Sequence, residues 1–284
     1  MKSEDQVSQQ TAAMVALLRS GGRPWARYVL KARGGGGPAS VDPLLVLEEE
    51  LGLLAYAAMA DAEAELMGWQ ERGITVLTLS DERYPANLAI IGSRPPLLFM
   101  QGSRDNRDRD AVAVIGTREP TAAGRELARS VATALGEHHH VIVSGLAAGI
   151  DAEVHQTALK SGRRTVAVIG TGLDHAYPRE HEQLQRQIAD QGAVISQFWP
   201  ETGPTKQSFP ARNAVMAGFT LASVVIEASE TSGTRIQAGH ALKQGRKVVL
   251  MEPVLATNWA RELIDQPGVH VAVSVADVLT ALRP

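Results

Sequence analysis

With 284 residues, 44% of them hydrophobic and 21% charged, the chain is long enough for one large α/β domain with an appendage and has an ordinary globular balance. It contains no cysteine, which excludes disulfides and thiolate metal sites. Its net charge of −3 excludes coating of nucleic acid by bulk charge, so any such binding has to come from a local basic pocket.

The N-terminal MKSEDQVSQQ is polar, without the apolar run of a signal peptide. No segment approaches the roughly 18 apolar residues of a membrane span. A cytoplasmic protein with no membrane association is expected. Residues 1 to 70 read as a small helical N-terminal region: Ala12, Ala13, Val15, Leu17 and Leu18 precede Gly21-Gly22, and helix-like spacing resumes over 44–54 and 56–66. Between them Gly34-Gly35-Gly36-Gly37-Pro38 reads as a loop. ITVLTL (74–79) and PPLLFMQG (95–102) predict strands, with a turn and short helix between them, and SRDNRDRD (103–110) reads as a charged linker.

From 111 onward apolar runs alternate with amphipathic stretches: AVAVIG (111–116), VIVSG (141–145), TVAVIGTG (165–172), GAVIS (192–196), LASVVIEA (221–228) and RKVVLM (246–251). Helices are expected up to about Leu135 and over 151–160. This rhythm predicts an α/β fold over 71–284, an extended Rossmann-like parallel sheet with helices on both faces and right-handed crossovers. A short helix is expected before Pro284, with no further domain after it.

Four strand ends carry small polar loops, at 115–120, 143–151, 169–174 and 228–241. Ligands of open parallel sheets bind at the carboxyl ends of strands, where glycine admits a ligand to the backbone and helix N-termini offer N–H groups to phosphate. The four loops together are therefore expected to line one phosphate-binding rim; taken singly, each reads as a tight turn. No GxGxxG or GxxxxGK[ST] fingerprint is present. The first turn has Gly116-Thr117-Arg118 instead, which places an arginine toward the rim. In QFWPETGPTKQSFPARN (197–213), Phe198, Trp199 and Phe209 interleave with Lys206 and Arg212, in a chain with only 4 Phe and 4 Trp. Aromatic faces for bases and cations for phosphates are the pattern of single-strand binding. Trp199 reads as core, and Phe209 as part of a polar loop. Ser144, Asp151 and His155 lack the surroundings of a nucleophile elbow and read as structural. His138-His139-His140 reads as a solvated turn, and no metal site is expected.

VAVIGTRE, VIVSGLAAGIDAEVHQTAL, GRRTVAVIGTGLDHAYPREHEQL, GAVIS and SFPARNAVMAG, in this order, resemble the core of the DNA-processing protein A (DprA/Smf) family over about residues 74–270. The resemblance implies an extended Rossmann-type sheet, single-stranded DNA binding, loading of the RecA recombinase, homodimers, no cofactor and no catalysis. It implies DNA-binding roles for Arg118, for Lys206, Phe209, Arg212 and Asn213, and for the glycine-rich rim of Ser144, Gly145, Gly170 and Gly172. Ser232-Gly233-Thr234-Arg235 stands at the family's S-G-S-L region with an added arginine, while Ala214 replaces a family arginine and Gln197 a glutamate. The winged-helix domain of many members is expected to be absent. These departures keep open a role as the antitoxin partner of a cognate toxin in a phage-defence pair.

A second alternative is a nucleotide-processing hydrolase of the related lysine-decarboxylase-like superfamily. Gln237 stands where its glutamate would be, and an amide does not stabilise the charge that develops on the sugar. For the homodimer, Leu250, Met251, Val254, Leu255 and Trp259 are the candidate interface, with burial in the core as the competing reading.

Overall fold

The computed structural model describes residues 4–22, 41–79 and 81–283. The glycine run at 34–37, expected to be a loop, lies outside the described residues. The chain divides into two compact units, one of Met1–Tyr84 with Pro95–Phe99, the other of Pro85–Arg94 with Met100–Pro284.

In the first unit, α1 (Glu4–Ser20) buries the continuous run Ala12 to Leu17. Helix α2 (Pro43–Leu51) starts where its sequence says it should: Pro43 takes the first helical position, and the Asp42 carboxylate accepts the Leu44 N–H at 2.9 Å. Gly52, at φ 54°, ends it, and α3 (Leu54–Glu71) follows. Only Ala55, Ala62 and Trp69 of α3 are buried, a narrow stripe at seven-residue spacing. Trp69 meets Phe99 edge-on at 5.2 Å. Strand β1 (Ile74–Thr78) completes the chain order here.

The second unit begins with α4 (Ala86–Ala89), and β2 (Leu97–Gly102) runs into it. The SRDNRDRD stretch is not a free linker. Asp105 caps a 3-10 turn at Asn106–Asp110, and Asp108 pairs at 2.6 Å with the buried Arg164, whose guanidinium also donates to the Ser103 carbonyl. Asp105 pairs with Arg107 and Asp108 with Arg164.

From there β3 (Ala111–Ile115), α5 (Ala122–Glu137), β4 (Val141–Ser144), α6 (Ile150–Lys160), β5 (Thr165–Val168), α7 (Glu182–Gln191) and β6 (Ala193–Ser196) alternate. They are followed by α8 (Ser208–Phe219), β7 (Ala222–Val225), α9 (Thr234–Lys243), β8 (Lys247–Met251), α10 (Asn258–Arg261), β9 (Val269–Ala272) and α11 (Val275–Ala281). Strands β3 to β9 pair in parallel in the order β6-β5-β4-β3-β7-β8-β9. The apolar runs are buried on both faces, as parallel strands under two helical layers must be. Helices α5, α6 and α11 share one core cluster with Val112, Val114, Val224 and Val249.

Two expectations change. The stretch from Ser208 is a helix and not a polar loop; Pro210 falls in its first turn, where its missing N–H costs no hydrogen bond. Leu250, Met251, Val254 and Trp259 are at most 1% exposed within their own chain, and Leu255 is half-buried. The first four are core: β8 carries Leu250 and Met251 into the sheet, and Val254 and Trp259 are buried in the turn and in α10 that follow it.

Candidate functional site

From β3 the chain steps to β4, β5 and β6 on one side, then returns to β7 on the other. Neighbouring strands whose connections diverge leave a crevice at their carboxyl ends. A cavity of about 480 Å³ lies there, lined by Gly116, Thr117, Arg118, Glu119, Asp151, Phe209, Arg212, Asn213, Ser232, Gly233 and Thr234, with Ser229, Thr231 and Gln237.

The first turn is held from two sides. Thr117 N–H donates to the Glu227 carbonyl at 2.7 Å, and the Thr117 carbonyl accepts from Ile150 N–H at 3.2 Å. Gly116 has no room for a side chain, since a Cβ would stand 2.4 Å from Ile150 Cγ1. Arg118, next along this fixed turn, is exposed at the cavity wall. The adjacent N-terminus of α5 is not free for phosphate. The Glu227 carboxylate accepts from Thr121 N–H at 3.2 Å and from its hydroxyl at 2.9 Å, and a Cβ on Gly124 would overlap it.

A second carboxylate ties down the loop between β4 and α6. Asp151 Oδ2 accepts from Gly145 N–H at 3.1 Å and Ala147 N–H at 3.4 Å, while His181 Nδ1 donates to the Leu146 carbonyl at 2.9 Å. Burial pushes the Asp151 carboxyl up from its ordinary value; the Arg212 cation and the Ala147 and Gly145 amides pull against it. Arg212 is 7% exposed, donating through Nη1 to the carbonyls of Gly145 at 2.5 Å and Val168 at 2.8 Å, and through Nε to Asn213 Oδ1 at 3.0 Å. Desolvation pushes its guanidinium down from its ordinary value, and Asp151 opposes this. Arg212 forms the cavity floor, with most of its donors directed into the protein.

The remaining expected residues divide. Phe209 lines the cavity and sits on Gly170, where a Cβ would stand 2.7 Å from the ring. Gly170 and Gly172 themselves are buried away from the cavity. Gly172 packs against the Trp199 and Pro200 carbonyls, and its N–H donates to the Thr202 carbonyl at 2.7 Å. The Ser144 hydroxyl is directed into the sheet, donating to the Val114 carbonyl at 2.7 Å, and Gly145 lies under Arg212. These four glycine-rim residues thus admit the protein's own atoms to close approach where a ligand was expected. Phe198 and Trp199 are half-buried and off the cavity. Lys206 and Arg235 are exposed and lie outside the lining, so Arg235 does not replace a lost charge within it.

In the fourth loop, Ser232 Oγ accepts from Thr234 N–H at 3.2 Å and from its hydroxyl at 2.9 Å, leaving Gly233 exposed at the mouth. Gln237 is 1% exposed; with its amide oriented to satisfy both atoms, it donates to the Asn213 carbonyl at 2.8 Å and accepts from Ala217 N–H at 3.3 Å. It ties α9 to α8. His155, fully buried and donating through Nδ1 to Thr165 Oγ1, has its pKa pushed down to about 3, chiefly by burial, and forms no triad with Ser144. Among the described residues no group of three or more His, Cys, Asp or Glu is placed to hold a metal. No described helix is long and apolar enough to cross a membrane. Sequence reasoning passed over Ser229 and Thr231 and read Asp151 as structural only, whereas Asp151 also lines the cavity.

A parallel sheet with its cavity at the switch point between β3 and β7 defines a Rossmann-type α/β protein. The family model of DNA recombination-mediator protein A matches residues 75–283, and the chain belongs to this family, DprA/Smf. It is 34% identical over 220 residues to the DNA processing protein DprA of Bacillus subtilis, covering 76% of this chain and 74% of that one. It is 41% identical over 183 residues to protein Smf of Synechocystis, covering 63% of this chain but only 46% of the relative. The X-ray structure of Streptococcus pneumoniae DprA matches with a TM-score of 0.71 at 28% identity, over 99% of this chain and 98% of that one. Helicobacter pylori DNA processing protein A, whose structure concerns its single-stranded DNA binding mode, matches with a TM-score of 0.65 at 26% identity, over 74% and 95%.

Proposed function

We propose that this recombination-mediator chain binds single-stranded DNA, without base specificity, in the cavity between the β3 and β7 turns. The observation that carries the reading is the convergence of Arg118, Phe209 and the Ser232–Thr234 turn on one crevice. Arg118 supplies a phosphate contact, Phe209 a face for a base, and Gly116, Thr117, Asn213, Ser232, Gly233 and Thr234 polar or close-approach backbone. Lys206 holds the backbone outside the cavity. The H. pylori relative's binding of single strands supports the same reading.

Arg118→Ala is expected to weaken binding of a mixed-sequence oligonucleotide by about 1.5–3 kcal/mol, the worth of a charge-assisted hydrogen bond. The salt dependence should flatten by about 0.7 in log–log slope, as for one lost phosphate contact on a single strand. Lys206→Ala should act in the same direction. Melting temperatures should hardly move, because both side chains are exposed. Wild-type affinity in both variants refutes the site.

The function this binding serves is loading of RecA onto the strand. Faster RecA filament growth on protein-coated single strands in the presence of the chain is expected; no acceleration refutes this role. A second copy of the chain supplies a second cavity on the same strand and so raises avidity. With Leu250, Met251, Val254 and Trp259 in the core, the outer edge of β9, terminal in the sheet among the described residues, is the surface that supports pairing: Val271 in the strand is 43% exposed and Val273 just after it 70%. Light scattering of Val273→Arg should show monomer where the parent chain shows dimer; a monomeric parent chain refutes the pairing.

A further inference from the structure

Tyr177 stands apart from the other large exposed side chains of the second unit. Ile90, Leu221, Ile236, Ile264, Val271 and Val273 are aliphatic; Tyr177, 43% exposed, is the one aromatic among them in the described residues. Its ring centroid lies 5.3 Å from that of Phe209, with the planes inclined at 46°. Phe209 lines the cavity and Tyr177 does not. The pair therefore carries an aromatic surface from inside the cavity to the open protein surface. An inclination of 46° leaves the two rings with different outward faces, so that each can take its own base.

The loop that presents Tyr177 is fastened along its length. Gly172 N–H donates to the Thr202 carbonyl at 2.7 Å, Asp174 N–H to the Pro200 carbonyl at 3.0 Å, and Thr171 Oγ1 to the His175 carbonyl at 3.1 Å. His175 Nε2 bonds the Glu201 carbonyl at 2.9 Å. A ring carried on such a loop is in place before a ligand arrives and costs little further ordering on binding. Two exposed cations lie between the paired rings in sequence, Arg179 two residues beyond Tyr177 and Lys206 three before Phe209. Aromatic faces accompanied by cations suit successive nucleotides of a single strand.

We infer that Tyr177 is a second stacking platform, on which the nucleotide next to the one on Phe209 rests as the strand leaves the cavity. The inference rests on the cavity being the single-strand site and adds the direction in which the strand exits, across the 171–178 loop. The test uses the whole chain and an oligothymidine carrying one 2-aminopurine, placed in turn at successive positions. Tyr177→Ala should lower affinity about five- to a hundredfold, the range for loss of one base–aromatic stack. It should also abolish the fluorescence quenching at one 2-aminopurine position. Tyr177→Phe should keep both, since stacking needs the ring and not the hydroxyl. Phe209→Ala and Arg118→Ala serve as controls for the cavity itself. Unchanged affinity and quenching in Tyr177→Ala, with both controls impaired, overturns the platform and leaves the cavity reading intact. Wild-type binding in all three variants overturns both. Loss of binding in Tyr177→Phe equal to that in Tyr177→Ala also overturns stacking, because the hydroxyl would then be the contact.

Discussion

Arg212→Met is expected to lower the free energy of unfolding by roughly 3–5 kcal/mol, the usual cost of removing one partner from a buried charged group. Two consequences add. The carbonyls of Gly145 and Val168 lose the Nη1 donor that both share, and neither can reach water behind the cavity floor. Asp151 loses the cation that opposes its desolvation, which drives its carboxyl further up and toward the neutral form. A neutral Asp151 accepts less strongly from Gly145 and Ala147, so the loop after β4 loosens as well. Arg212→Lys should recover only part of the loss, because an ammonium lacks the guanidinium fork that bonds the two carbonyls and Asn213 together. Denaturant titration reads the effect. An unchanged midpoint together with lost DNA affinity would show that Arg212 acts mainly on the ligand, as the family resemblance implies.

Gly149→Ala should have the next largest effect, and it should damage binding although residue 149 lies outside the cavity lining. Gly149 starts α6 at φ 81° and ψ −124°, a conformation that an alanine adopts only at a cost of about 1–3 kcal/mol. Its Cβ would also stand 2.4 Å from the Thr117 carbonyl oxygen and 2.6 Å from that of Arg118. Both are backbone atoms of the turn that carries the exposed arginine, so relief of the overlap displaces that turn. Lower stability and weaker DNA binding are expected together. Gly239→Ala is the matched control: it lies within α9, nothing stands within 4 Å of its Cβ, and the change should be neutral or stabilising by about 0.5–1 kcal/mol. If Gly149→Ala behaves like the control, the two turns are not interlocked.

The strands of the parallel sheet up to β8 were legible because each is an apolar run bounded by turn residues, as in AVAVI and VIVS. Strand β9, VHVA, was not: only Ala272 is fully buried, as befits an edge strand, and it leaves too little pattern to read. The start of α8 was hidden for a different reason. Ser208 and Pro210 resemble a loop, and only their position in the first turn of a helix makes them acceptable there. That helix places Phe209 and Arg212 three residues apart on one side, toward the cavity.

The sequence by itself determined the alternation of strands and helices, the glycine turns at the strand ends and the requirement for a local basic site, because hydrophobic periodicity and turn chemistry act over a few residues. Only the tertiary structure decided which turns share a cavity. All four loops leave the carboxyl ends of parallel strands, yet β5 is two strands from β3, roughly 10 Å at ordinary strand spacing, so Gly170 and Gly172 pack against the protein while the turns after β3 and β7 meet. It also decided that the start of α5 is filled by Glu227, and that Arg212 turns most of its donors inward. These are contacts between residues as much as 106 positions apart, brought together by strand order, and no local pattern encodes them.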